Sequence, residues 1–163
     1  MGMRVGFGFD THRLAEGRPL VLGGIKIASA LGCVGHSDAD VLIHALCDAL
    51  LGAANLRDIG YHFPDTDPRY AGIDSRLLLR ECCRLVREEG WCIANADTTV
   101  VIQQPKINPH IPSMQRELAE AMGVSDADVS IKAKTSENIG FIGRGEGVSA
   151  YAVVLLVSDG IMK

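Results

Sequence analysis

Arg4-Val5-Gly6-Phe7-Gly8-Phe9-Asp10-Thr11-His12 begins the ordered reading of this chain with a strict alternation. Val5, Phe7 and Phe9 fall on one side, and Arg4, Gly6 and Gly8 on the other, which is the period of two that marks a β-strand. The same period places Asp10 and His12 together on one side at the end of that strand. A carboxylate and an imidazole are both good ligands for zinc, whereas a neutral imidazole suits magnesium poorly. An isolated Asp-x-His also fits a hydrogen-bonded turn, so a third group is needed.

His44 supplies that group. Ser37 reads as a helix N-cap, with Asp38 and Asp40 in the first turn, where carboxylates favour the helix dipole. Val41, Leu42, Ala45, Leu46, Ala49 and Leu50 form a buried stripe that ends near Ala53. Asp40, His44 and Asp48 recur one turn apart as a polar stripe, and a carboxylate one turn away can orient the ring through its second nitrogen. Asp10, His12 and His44 would give three protein ligands and one open position, as in catalytic zinc sites. The bland alternative is a capped helix with a partly buried His–Asp pair. Cys33-x-x-His36 is half a zinc pattern with no second half.

Outward from these two segments, residues 21–27 read as a second strand, with Gly23-Gly24 as a bulge or close approach. Residues 55–70 are polar and contain Gly60, Pro64 and Pro68, so an irregular and functional loop is expected. A second helix spans about 74–89 with Gly90 beyond it, and a third spans 112–122 before Gly123. Strands are expected at 98–103, 129–135 and 148–157, the last apolar on both faces. The order β-β-α-α-β-α-β-β gives an α+β fold, a mixed sheet with helices on one face. The other face then needs a cover, which a symmetric oligomer provides.

The totals narrow the chemistry. A length of 163 residues suits one domain, 1–163, and can bury about 70% of the unfolded surface. The net charge of -4 provides no general basic field for nucleic acid or an anionic membrane. A polyanionic ligand must therefore be held by metal ions, local cations and backbone N–H groups. Five cysteines without a C-x-x-C pair read as reduced thiols of a cytosol. The sequence shows no signal or transit peptide, so a cytoplasmic bacterial protein is expected.

Three further runs suit anionic ligands. Phe63-Pro64-Asp65-Thr66-Asp67-Pro68 sets two carboxylates in a stiff loop. Lys132-Ala133-Lys134-Thr135-Ser136-Glu137 brings amines, hydroxyls and a carboxylate to a strand end, a set that suits a phosphate with a divalent cation. Gly143-Arg144-Gly145-Glu146-Gly147 fixes a guanidinium among glycines. Each run taken singly also fits a solvated loop.

Together the motifs resemble the 2-C-methyl-D-erythritol 2,4-cyclodiphosphate synthase family of non-mevalonate isoprenoid synthesis. The carriers are Gly8-Phe9-Asp10-Thr11-His12, His36-Ser37-Asp38-Ala39-Asp40 with His44, Asp58-Ile59-Gly60, the loop at 63–68, Gln104-Pro105-Lys106, the run at 132–137 and residues 140–147. The resemblance implies a phosphorus-oxygen lyase acting on 4-diphosphocytidyl-2-C-methyl-D-erythritol 2-phosphate. The 2-phosphate would attack the β-phosphorus of the same molecule and release CMP. Asp10, His12 and His44 resemble the zinc ligands, and Glu137 the protein ligand of a second cation, Mg2+ or Mn2+. His36 and Thr135 resemble the transition-state stabilisers.

The resemblance also assigns the substrate pocket. Ser37, Asp58, Ile59 and Gly60 resemble the methylerythritol site, as do Phe63, Pro64, Asp65, Thr66 and Asp67. Ile102, Gln103, Gln104, Pro105, Lys106, Ile107 and Asn108 resemble the cytidine and phosphate pocket, together with Lys134, Thr135 and Ser136. Lys134 and Ser136 stand where some relatives carry Thr. The resemblance further implies a homotrimer with active sites at subunit boundaries. Phe9, Phe141, Arg144 and Glu146 resemble residues around a central cavity able to hold an isoprenoid diphosphate. No protein nucleophile is needed, because nucleophile and electrophile share one substrate molecule. The rival readings are a phosphohydrolase with the same three ligands and a non-enzymatic nucleotide-binding module.

Overall fold

A computed structural model describes residues 2–158. The chain runs β1 (Met3–Glu16), β2 (Leu20–Leu22), β3 (Ile25–Ile27), β4 (Leu31–Val34), α1 (Val41–Ala53), α2 (Ile59–His62), α3 (Ser75–Glu88), β5 (Trp91–Val101), α4 (Ile111–Met122), β6 (Val129–Lys134), α5 (Gly140–Gly143) and β7 (Gly147–Ser158). Five strands form one mixed sheet in the order β4-β1-β7-β5-β6, in which only β5 and β6 run parallel. The α+β architecture expected from the sequence is present.

β1 is longer than the alternation at its start suggested, and its glycine side is the buried one. Gly6 and Gly8 lie beneath α1, where a Cβ on either would meet a helix carbonyl oxygen at 1.9 Å. The apolar side faces outward: Met3 is 70% exposed, Val5 70% and Phe7 63%. Phe9, Tyr151 and Val153 continue this surface, with the Phe9 and Tyr151 rings 5.3 Å apart. The chain thus has an uncovered apolar sheet face opposite its helices.

α1 packs between the sheet and α3, so its burial extends beyond the stripe expected for a surface helix. Ile43, Cys47 and Leu51 are buried along with Val41, Leu42, Leu46 and Leu50 of the stripe. The cap also differs from expectation. Asp40, not Ser37, caps α1, and its carboxylate accepts from Leu42 N and Ile43 N. The chain around Ser37 is still a turn, with Ala39 at φ 59°, so the helix cannot begin there.

Residues 21–27 are a hairpin rather than one bulged strand. Gly23 and Gly24 both adopt positive φ, 59° and 80°, which suits a tight two-residue turn between β2 and β3. Their N–H groups donate to Asp40 at 3.0 and 2.7 Å. One buried carboxylate therefore ties the hairpin turn to the start of α1. The second helix, the third helix and the last two long strands lie within a residue or two of their expected limits. β5 begins at Trp91, well before the expected start, and carries a register shift between Ile93 and Asn95. The expected loop at 55–70 contains α2 and a 3-10 turn at Pro68–Tyr70.

Candidate metal centre and active site

Asp10 and His12 leave β1 on one side, as their spacing implied, and α1 lowers His44 onto them. Asp10 Oδ2 lies 3.1 Å from His12 Nε2 and 3.0 Å from His44 Nδ1. The two ring nitrogens are 3.1 Å apart. Among the described residues this is the one cluster of His, Cys, Asp or Glu side chains arranged to hold a metal ion.

Hydrogen bonds on the far side of each ring fix what faces the cluster. His12 Nδ1 donates to the carbonyl of Val34 at 3.1 Å, since a carbonyl can only accept. A neutral His12 therefore presents the Nε2 lone pair. Ser75 Oγ donates to Asp38 Oδ1 and so accepts from His44 Nε2 at 3.1 Å. A neutral His44 then presents the Nδ1 lone pair. Three lone-pair donors converge with no hydrogen to share, which is the arrangement of a cation site. A tetrahedral zinc with ligands at roughly 2.0–2.1 Å sets donor atoms about 3.3 Å apart, close to the spacing seen.

The electrostatics agree. Burial pushes the Asp10 carboxyl up, but the hydrogen bonds and charge that the His12 and His44 rings supply when protonated outweigh it and hold Asp10 well below the ordinary carboxylate range. Burial lowers the His12 ring, yet the hydrogen bond its protonated form makes to Asp10 leaves it above its ordinary value. Both shifts say that this cluster favours positive charge at its centre.

Asp40 does not orient the His44 ring, contrary to the reading of the polar stripe. Its carboxylate is committed to four backbone N–H groups, and its carbonyl accepts from His44 N at 3.0 Å. Asp48 accepts from Ile59 N at 2.8 Å and holds α2 against α1. The groups that touch His44 Nε2 are Ser37 and Ser75, each at 3.1 Å. Ser75 was not legible as a site residue, because in sequence it is one more polar residue at a helix start.

The open edge of the cluster faces a cavity of about 450 Å³. His36, Ser37, Ile59, Gly60, Phe63, Pro64 and Asp65 line it beside His12 and His44, so the segments expected to bind methylerythritol do meet there. Gly35, Tyr70 and Leu78 complete the wall, none foreseen, and Tyr70 packs edge-on to Phe63 at 5.4 Å. His36 donates to the carbonyl of Asp67 at 3.1 Å, which secures the loop across the mouth. Asp67 is itself paired with Arg69. Asp58, Thr66 and Asp67 lie outside the cavity lining, Asp58 as the cap of α2.

A second cavity of about 350 Å³ gathers Ile102, Gln103, Pro105, Lys106, Ile107 and Asn108 with Lys134 and Thr135. Gln104, Ser136 and Glu137 flank it without lining it. Thr135 Oγ1 donates to Glu137 Oε1 at 2.8 Å. The two cavities share no residue. Thr11, Ser149, Val101 and Lys134 are in register across β1, β7, β5 and β6. Three strand spacings separate the first from the last, about 14 Å. A single chain therefore keeps His36 and Thr135 in different cavities. Phe141 and Arg144 lie outside both, with Arg144 paired to Glu146 at 2.8 Å.

The model of the YgbB family matches residues 3–157. The chain belongs to the YgbB family. A YgbB relative from Cytophaga hutchinsonii, named 2-C-methyl-D-erythritol 2,4-cyclodiphosphate synthase, is 59% identical over 96% of this chain and 99% of its own length. A solved 2C-methyl-D-erythritol-2,4-cyclodiphosphate synthase with CDP bound superposes with a TM-score of 0.87 at 44% identity, covering 94% of this chain and 100% of that one. The bifunctional IspDF from Campylobacter jejuni gives a TM-score of 0.93 at 41% identity. That match covers 96% of this chain and 42% of the longer protein. The mixed sheet and its helices match those of the solved CDP-bound synthase. No helix of the described residues is long and apolar enough to cross a membrane.

Proposed function

We propose that metal-assisted ring closure is how this chain carries out the 2-C-methyl-D-erythritol 2,4-cyclodiphosphate synthase reaction of isoprenoid precursor synthesis. The substrate is 4-diphosphocytidyl-2-C-methyl-D-erythritol 2-phosphate, and the products are the cyclic diphosphate and CMP. The observation that carries the reading is the convergence of Asp10, His12 and His44 lone pairs beside a cavity sized for a small polyol phosphate.

Asp10, His12 and His44 would hold zinc, whose chemistry here is to polarise a phosphoryl oxygen of the diphosphate. Glu137 is exposed and offers a carboxylate for a magnesium or manganese ion that a diphosphate would share. The protein's own work is positioning. Ile59, Gly60, Phe63, Pro64 and Asp65 hold the methylerythritol end, with Ser37 and the α2 cap Asp58 available to its hydroxyls. The loop through Thr66 and Asp67 closes the mouth and keeps His36 directed across it. His36 and Thr135 would donate to phosphoryl oxygens as charge develops on them, their hydrogen bonds turning from the Asp67 carbonyl and Glu137 Oε1 to the substrate.

The nucleotide end occupies the second cavity, where Lys106 and Lys134 neutralise phosphate and the backbone from Ile102 to Asn108 frames the base. The separation of the two cavities supports a homotrimer in which one subunit's metal centre faces another's nucleotide cavity. The exposed strip of Met3, Val5, Phe7 and Phe9 supports the same assembly, because an apolar sheet face of this extent calls for a partner. Phe9, Phe141, Arg144 and Glu146 would then surround a central cavity suited to an isoprenoid diphosphate. The enzyme would work in a bacterial cytoplasm, where the buried thiols Cys33, Cys47, Cys82 and Cys83 stay reduced.

Phosphorus NMR of the product decides the function. Authentic substrate should give two coupled resonances of a cyclic diphosphate plus stoichiometric CMP. Inorganic phosphate or an open-chain phosphate would overturn the reading in favour of hydrolysis, and no turnover would leave only a binding module.

A further inference from the structure

The ring of His44 is gripped on the side that faces away from Asp10. Ser75 opens α3 and has no exposed surface. Its backbone N–H donates to Asp38 Oδ2 at 3.0 Å, and its hydroxyl donates to Asp38 Oδ1. A serine hydroxyl has one hydrogen. With that hydrogen committed to Asp38, Ser75 Oγ can only accept from His44 Nε2, 3.1 Å away. The ring proton is thereby fixed on Nε2, and Nδ1 is left as a lone pair toward Asp10. Ser37 Oγ touches the same nitrogen at 3.1 Å, but Ser37 also lines the substrate cavity, and its hydroxyl is not committed to a carboxylate. Asp38 and Ser75 stand outside that lining.

We propose that Ser75 and Asp38 are positioning residues of the metal centre, a carboxylate–hydroxyl–imidazole relay that holds His44 in its ligating tautomer. The proposal rests on the metal reading given above. Three chain segments meet in the relay: Asp38 ahead of α1, His44 within it and Ser75 at the start of α3. It fixes the ring orientation independently of substrate, and the Asp38 charge, felt through the hydroxyl, increases the electron density that Nδ1 can give. Such ligand-orienting contacts commonly change metal affinity by about 10- to 100-fold.

The test uses the full-length protein with two probe ions. Zinc affinity is measured by competition with a chromophoric chelator, and the visible absorption of the cobalt(II)-loaded form reports ligand geometry. Ser75→Ala should bind zinc about 10- to 100-fold more weakly and change the cobalt spectrum, while metal-free Ser75→Ala melts close to the metal-free wild type. Asp38→Asn removes the charge and should weaken zinc in the same direction. It carries the test by the same two readouts if Ser75→Ala does not fold. Wild-type affinity and an unchanged cobalt spectrum in the folded variants would overturn the relay alone. Wild-type protein that takes up no zinc would overturn the metal reading and the relay with it.

Discussion

A methyl group added to Gly8 would lie 1.9 Å from the carbonyl oxygen of Ala45. α1 rests on β1 with nothing larger than hydrogen between the two backbones, and His44 is the next residue along the helix before Ala45. The close approach is what lowers His44 to within 3.0 Å of Asp10. Gly8→Ala should therefore lift the helix, destabilise the protein by about 3 kcal/mol or more and lower metal content together. Gly52 provides the contrast, since a methyl there meets nothing within 4 Å and its helix is retained. Gly52→Ala should raise stability by about 0.5–1 kcal/mol. Denaturant melts of both variants check the pair.

His44→Ala should remove one of three ligands without disturbing the sheet. Zinc content by elemental analysis should fall sharply, and CMP release should be lost. Circular dichroism should stay at the wild-type signal. A variant that loses zinc but turns over at the wild-type rate would separate the cluster from catalysis.

Asp40 is fully buried and satisfies four backbone N–H groups, two from the β2–β3 turn and two from the first turn of α1. Asp40→Ala leaves all four without that partner. A lost cap costs about 1 kcal/mol, and unsatisfied buried donors add to it, so a loss of about 3 kcal/mol is expected in urea unfolding. Metal affinity should fall less than in Ser75→Ala, because Asp40 does not touch the His44 ring.

Acid stability should depend on Asp74. Hydrogen bonds from Arg76, acting against partial burial, hold its carboxyl below the ordinary value of 3.8, and Arg76 also reaches Glu117 on α4. The folded form therefore binds fewer protons than the unfolded chain in the acid range. Stability from this group is present above 3.8 and lost as pH falls through the depressed folded value. Asp74→Asn should flatten that acid limb. The side chain is 40% exposed, so the loss at neutral pH should stay below about 1 kcal/mol. Urea midpoints between neutral pH and about pH 3 measure it.

The metal trio was legible because its spacings are those of regular structure: two residues apart on a strand, and mid-helix on a recognisable amphipathic run. Gly90 and Gly123 likewise marked their helix ends, both at positive φ. The relay through Ser75 and Asp38 was hidden because it joins residues 37 apart in sequence through a tertiary contact. The stripe of Asp40, His44 and Asp48 suggested the wrong partner, since helical spacing says which residues share a face and not where each carboxylate finds its donors. The Gly23-Gly24 pair held the hairpin signal, but the flanking strands are only three residues each. The part of β5 ahead of the expected start contains Asn95 and Asp97, poor strand formers that pair with β7 beyond the register shift.

The division of the candidate site into two cavities that share no wall has a genetic corollary. If each working centre draws its halves from two neighbouring chains, ownership of activity is joint. A copy defective in the metal half and a copy defective in the nucleotide half would restore one another when co-assembled, whereas either defect by itself would poison centres shared with healthy neighbours.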